Sequence, residues 1–174
     1  AWVKELFPEA ESYLDVYDKA GLTGSKSVFA HSIHLEDSEW QTLSDKDCSI
    51  AFCPTSNLFL GSGLFNIQEA EEYEVNVGMG TDVGAGTSFS ILETLQEAYK
   101  VNQLRKAFLL ADEEHKPLSV FKSLYLATLG GAETLSLDKY IGNFETGKEA
   151  DFVVLNPKAN ELMEFRMSHA KSLE

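Results

Sequence analysis

Asp82 and His31 are the side chains whose types and settings in this sequence could do chemistry. Asp82 sits in Val75-Asn-Val-Gly-Met-Gly-Thr-Asp-Val-Gly-Ala-Gly-Thr-Ser88, a short β-branched strand that runs into a glycine-rich turn. A carboxylate at a strand end can bind a metal ion or take a proton as a general base. It can equally settle a turn or cap the helix that follows. His31 closes a second short strand, Ser27-Val-Phe-Ala-His31, at the same kind of position. Imidazole and carboxylate both suit zinc, so His31, His34 and Asp82 form a conceivable metal cage. The plainer alternative for His34 is a loop residue that helps start the next helix. His115, in an Asp-Glu-Glu-His run, reads as a solvated surface group, and nothing nearby supports a role for His169. Cys53 reads as a packed thiol rather than a nucleophile, because no His or Asn partner is identifiable.

The elements that must position these groups alternate. Trp2 to Phe7 has a helical pattern that Pro8 interrupts, and Tyr13 to Tyr17 leads to a helix stop at Gly21. The strand at Ser27–His31 is followed by an acidic amphipathic helix from Leu35 to Lys46. Cys48 to Phe52 is the next strand, and Pro54-Thr-Ser-Asn57 is expected to be a polar loop. Asn66 to Tyr73 reads as helical, then comes the strand before Asp82 and a long helix from about Ser88 to Leu110. A further helix begins at Lys116 and runs through Ala127, with Gly130-Gly131 separating it from a shorter one at Ala132–Leu137. Strands separated by helical crossovers predict an α/β fold with a parallel sheet. Three strands are too few for a closed barrel, so the sequence fits either a small open domain or a piece of a barrel. Beyond Leu137 the pattern changes. A turn-rich run from Ile141 to Asp151 precedes Phe152-Val-Val-Leu155, expected to be a strand of a β-structured appendage.

Composition excludes several classes. The chain has 174 residues, 44% hydrophobic and 24% charged, which is globular material. A net charge of −14 leaves no basic stripe for phosphates, which argues against nucleic acid as a partner. The apolar runs are too short to span a bilayer. Two cysteines, Cys48 and Cys53, point to a reduced, cytoplasmic protein. Gly78-Met-Gly80 and Gly84-Ala-Gly86 do not extend into a dinucleotide fingerprint, and no phosphate-loop motif is present.

Four landmarks in order carry a resemblance: Phe29-Ala-His31, Gly80-Thr-Asp82, Ala127-Thr-Leu-Gly-Gly-Ala132, and the run from Ile141-Gly through Gly147-Lys to Asp151-Phe-Val-Val154. Together they resemble the later part of the metal-dependent amidohydrolases. Phe52-Cys-Pro-Thr-Ser-Asn57, Leu60-Gly-Ser-Gly-Leu-Phe65, Gly80 to Gly86 and Trp2-Val-Lys-Glu-Leu-Phe-Pro8 are similar to the bacterial guanine deaminase branch. Phe52 stands where many other relatives carry His, which favours that branch over enzymes of other aminopurines, pterins or triazines.

The resemblance implies the last strands of a (β/α)8 TIM-type barrel over residues 1–138 and part of a small β-sandwich domain over 139–174. It implies hydrolysis of guanine to xanthine and ammonia in a homodimeric enzyme that holds one Zn2+ per subunit, with iron as the alternative metal. Asp82 matches the family's eighth-strand metal ligand, and His31 the sixth-strand His that contacts the attacking water and the reacting centre. Ser56 and Asn57 are expected to line the purine site, whereas His34 matches no catalytic position. The family's His-x-His pair, its fifth-strand His and the Glu that shuttles protons have no counterpart here. The expectation is therefore part of a longer polypeptide, inactive in isolation.

Overall fold

The three β-rich runs each form a strand, and a helix or helical turn follows every one. The computed structural model describes residues 2–109 and 116–172. In chain order the elements are α1 (Trp2–Leu6), α2 (Tyr13–Lys19), β1 (Val28–Ala30), α3 (Asp37–Asp45), β2 (Ser49–Phe52), α4 (Pro54–Leu60), α5 (Ile67–Glu72) and β3 (Asn76–Met79). Then come α6 (Ile91–Phe108), α7 (Val120–Ala127), α8 (Leu129–Thr134) and α9 (Glu161–His169). The sheet is parallel with order β1-β2-β3, and its register pairs Ala30 with Ala51 and Phe52 with Met79. Neighbours in space are thus neighbours in sequence, the order of consecutive barrel strands rather than of a doubly wound sheet that reverses midway.

Burial on both faces of β2 fixes the core. Ile50 and Phe52 are buried together with Trp40 and Leu43 of α3, and with Phe65. The Phe52 ring lies 4.7 Å from Phe65, and Trp40 stacks on Tyr73. Glu39 is a buried carboxylate with a clear reason. It accepts the Leu14 backbone N–H at 2.9 Å and the Glu36 N–H at 3.0 Å, tying α2 to the start of α3. On α6 the buried set Thr94, Leu95, Ala98, Val101 and Asn102 traces one helical face. Asn102 Oδ1 accepts the Leu118 N–H at 3.0 Å, fixing the approach to α7.

Four expectations change. Pro54–Asn57 is the first turn of α4 and is buried, not a polar loop; Pro at the helix start needs no N–H partner. Gly130 and Gly131 lie inside α8, and the break falls at Thr128. A Cβ on Gly130 would stand 2.9 Å from the Tyr125 ring, and one on Gly78 of β3 would stand 3.1 Å from the Gly131 Cα, so bare backbone at Gly130 and Gly78 allows α8 to pack closely. Phe152–Leu155 forms no strand, joins no sheet among the described residues and is exposed. The long helix ends at Phe108 in its described part, and Leu110 and His115 lie outside the described residues. The helix α9, capped by Asn160 accepting from the Met163 N–H at 2.9 Å, had no sequence expectation. No helix among the described residues is long and apolar enough to cross a membrane.

Candidate active site

The carboxyl ends of the three strands supply one cluster: His31 after β1, Cys53 to Asn57 after β2, and Asp82 after β3. In parallel α/β folds this is the end where binding groups collect. Sheet-type hydrogen bonds continue one residue past the strands, from His31 N–H to Ala51 O at 3.0 Å and from Gly80 N–H to Phe52 O at 2.9 Å. Beyond them the backbone turns sharply. His31 has φ 69°, Ser32 φ 49° and Asp82 φ 46°, left-handed conformations that non-glycine residues seldom adopt. Such strain persists only where surrounding contacts over-determine it, and it concentrates at functional sites.

Those contacts are visible. His31 Nδ1 lies 2.7 Å from Asn57 Oδ1, and His31 Nε2 lies 3.7 Å from Asp82 Oδ2. The Thr55 hydroxyl donates to Thr81 O at 3.1 Å, binding the first turn of α4 to the Asp82 loop. That loop folds on itself through Gly86 N–H to Asp82 O at 2.6 Å. A Cβ at Gly86 would meet Thr81 O at 1.9 Å, so only glycine fits there. The side chains of His31 and Asp82 keep 41% and 40% of their surface exposed, whereas Asn57 is buried behind them. The open side is therefore the side of the imidazole Nε2 and the carboxylate.

Cys53 lies beneath this cluster, with its Sγ against Gly80. Burial foremost, then the negative charge of Asp82, push its thiol from 9.0 up to about 11, outweighing a hydrogen bond from the His31 backbone. It stays a neutral packed thiol, as its sequence setting suggested. Ser56 is fully buried, and its Oγ and the Asn57 Nδ2 have no hydrogen-bond partner among the described residues.

His34 does not join the site. Its Nε2 bonds Ser62 O at 2.8 Å in the turn after α4, and its ring packs against Gly63. No cluster of three or more His, Cys, Asp or Glu able to hold a metal occurs among the described residues, so the His31–His34–Asp82 cage is not formed. His169, exposed on α9, bonds its own helix neighbours Phe165 and Ser168. The donor set suits one oxygen ligand, Asp82, with an imidazole beside it, and further ligands would have to come from elsewhere. The link from Asn57 to His31 was not foreseen. Its one sequence signal is an Asn five residues past the end of β2, in a run too polar to be read as buried.

Comparisons with known proteins bear on the family and the fold. The sequence profile of the amidohydrolase family matches residues 1–170. The chain is 56% identical to the guanine deaminase of Escherichia coli K12 over 173 residues, 99% of this chain and 37% of that protein. The solved structure of E. coli guanine deaminase superposes with a TM-score of 0.90, covering 99% of this chain and 38% of that one. A guanine deaminase from C. acetobutylicum, solved with guanine bound in its active site, is 31% identical with a TM-score of 0.76, over 83% of this chain and 34% of that one. An adenosine deaminase from Xanthomonas campestris with bound zinc is 28% identical with a TM-score of 0.70, over 79% of this chain and 30% of that one. The chain thus spans under two fifths of the length of each.

Proposed function

This chain belongs to the amidohydrolase family, and on that footing we propose that the whole protein hydrolyses guanine to xanthine and ammonia. One observation carries the reading: His31 and Asp82, from two different strand ends, converge to 3.7 Å on the open side of the sheet, in a chain 56% identical to a guanine deaminase. Residues 1–138 make up the last part of a (β/α)8 barrel, and 139–174 contribute Phe152–Leu155 to a β-sandwich appendage. The enzyme is a cytoplasmic homodimer.

Asp82 is the residue of this chain that would hold a metal ion, zinc or alternatively iron, both of which accept oxygen and imidazole donors. When bound, Zn2+ lowers the pKa of a water toward ~7 and so supplies a nucleophile at neutral pH. Asp82 would take the proton of the attacking water as the water oxygen bonds to the amino-bearing carbon of the purine. His31 Nε2 hydrogen-bonds the water and aims it at the reacting carbon. A new C–O bond forms, Asp82 would pass the proton it took to the amino nitrogen, the C–N bond breaks and ammonia leaves. The first turn of α4, with Ser56 and Asn57 buried at 0% and 1% exposure, supports His31 from behind rather than facing the open side, so the expected lining of the purine site by these two side chains is not kept. The proton donor to the ring nitrogen comes from a segment outside this chain.

The test is ammonia release from guanine by the whole protein, wild type beside Asp82→Ala, with bound metal counted in both. Asp82→Ala is expected to lose its metal and to lower turnover by at least on the order of 10²–10³-fold. Metal retained by the variant overturns the ligand assignment. A wild type that binds metal but leaves guanine untouched overturns the substrate.

A further inference from the structure

We propose that Asn57 is a positioning residue that sets the tautomer and the aim of His31. The inference rests on the reading of His31 as the group that meets the attacking water. His31 cannot be aimed by packing: its side chain is 41% exposed and its backbone sits at φ 69°. The ring is held instead from its inner edge, where Nδ1 meets Asn57 Oδ1 at 2.7 Å.

Asn57 itself is rigid. It is 1% exposed, its N–H donates to Cys53 O at 3.0 Å inside the first turn of α4, and Thr55 in the same turn is bonded to the Asp82 loop. One residue therefore links the ends of all three strands: it extends from β2, holds the ring after β1, and turns that ring toward the carboxylate after β3.

An amide oxygen only accepts, so Nδ1 must carry the hydrogen. In a neutral imidazole the other nitrogen is then an acceptor. Nε2 accordingly presents a lone pair to the open side, where it can accept a hydrogen bond from water beside Asp82 Oδ2. The residue type supports the same conclusion. Asn57 Nδ2 is buried without a partner among the described residues, a cost that an apolar side chain of similar shape would avoid. What Asn supplies here, and Leu would not, is the Oδ1 acceptor.

The experiment uses the whole protein with 15N-labelled histidine, the His31 signals being identified by their loss in His31→Gln. At a pH where the ring is neutral, the wild type should show the Nδ1–H tautomer, and Asn57→Leu should shift it toward Nε2–H. Turnover of guanine by Asn57→Leu should fall on the order of 10–100-fold, the usual cost of removing a group that orients an active-site imidazole. The loss should lie in kcat with KM little changed. Asn57→Asp keeps an oxygen acceptor and should retain both the Nδ1–H tautomer and most of the turnover. An Nε2–H tautomer in the wild type overturns the proposal, and so does an unchanged tautomer in Asn57→Leu. A KM rise at constant kcat also overturns it, because Asn57 would then contact the substrate directly. Should Asn57→Leu fail to fold, the wild-type spectrum and Asn57→Asp still decide. The tautomer needs no substrate, so a wild type inert toward guanine sinks the deaminase reading while leaving this test standing.

Discussion

The sheet region and the stretch after Asp138 are both rich in aromatic and branched side chains, yet they treat them oppositely. In the first, Trp40, Leu43, Ile50, Phe52 and Phe65 are sealed at 0–1% exposure around β2. In the second, Phe144, Phe152, Val153, Val154 and Leu155 stand 60–87% exposed. The Phe144 and Phe152 rings sit 6.2 Å apart without a core beneath them. The same chemistry is spent in one place on a scaffold and left in the other as uncovered surface. The site lies wholly on the first. Left-handed φ values at His31 and Asp82 cost of order 1–3 kcal/mol each, and only a region with surplus burial can hold them.

The strongest way to break this contrast is Phe52→Ala. The ring packs on Phe65 at the centre of the scaffold, and emptying its space should destabilise the whole protein by about 3–5 kcal/mol. Urea unfolding of wild type and variant reads it as a drop in midpoint at unchanged slope. A loss below about 1 kcal/mol would mean that β2 does not anchor the fold.

A second, smaller effect concerns pH. The thiol of Cys53 titrates near 11 in the folded chain against 9.0 ordinarily, so the native state holds its proton more tightly than the unfolded one. The stability this provides is complete below pH 9 and is lost as pH rises from 9 toward 11. Cys53→Ala should therefore flatten the alkaline fall in unfolding midpoint over that interval. An equally steep fall in the variant would assign it to other groups, such as Cys48 or Tyr125, whose values are also raised.

The scaffold was largely legible because its signals are local. β-branched runs at regular spacing announce parallel strands, and a His and an Asp at two strand ends announce the site. What was hidden depends on distant partners. Pro54, Thr55, Ser56 and Asn57 carry turn chemistry in sequence, and only their burial against the Asp82 loop makes them a helix start. Gly130 and Gly131 look like a separator, yet they lie inside α8, where Gly130 gives room to the Tyr125 ring and Gly78 of β3, some fifty residues earlier, gives room to the backbone at Gly131. Phe152–Leu155 has the composition of a strand, but a strand exists only when paired, and none of the described segments pairs with it. The cage with His34 failed for a similar reason: three residues of loop carry its ring to the carbonyl of Ser62.

The run Phe152–Leu155 gives the smallest prediction. Val153 is 82% exposed here, so Val153→Ser in residues 1–174 alone should change stability by no more than about 0.5 kcal/mol. The backbone amides of 153–155 should exchange with solvent at the rate of an unstructured peptide. In the whole protein, pairing within a β-sandwich appendage should slow those amides on the order of 10²-fold or more. The same substitution there should cost about 1–3 kcal/mol, the worth of burying a valine. Fast exchange in both would remove the sandwich from the reading of residues 139–174. Slow exchange in the short chain would mean that the exposed tail already has a partner, and the contrast with the scaffold would vanish. Slow exchange in the whole protein alone would mean that the tail carries the same kind of strand as β2, and differs only in where its other half is encoded.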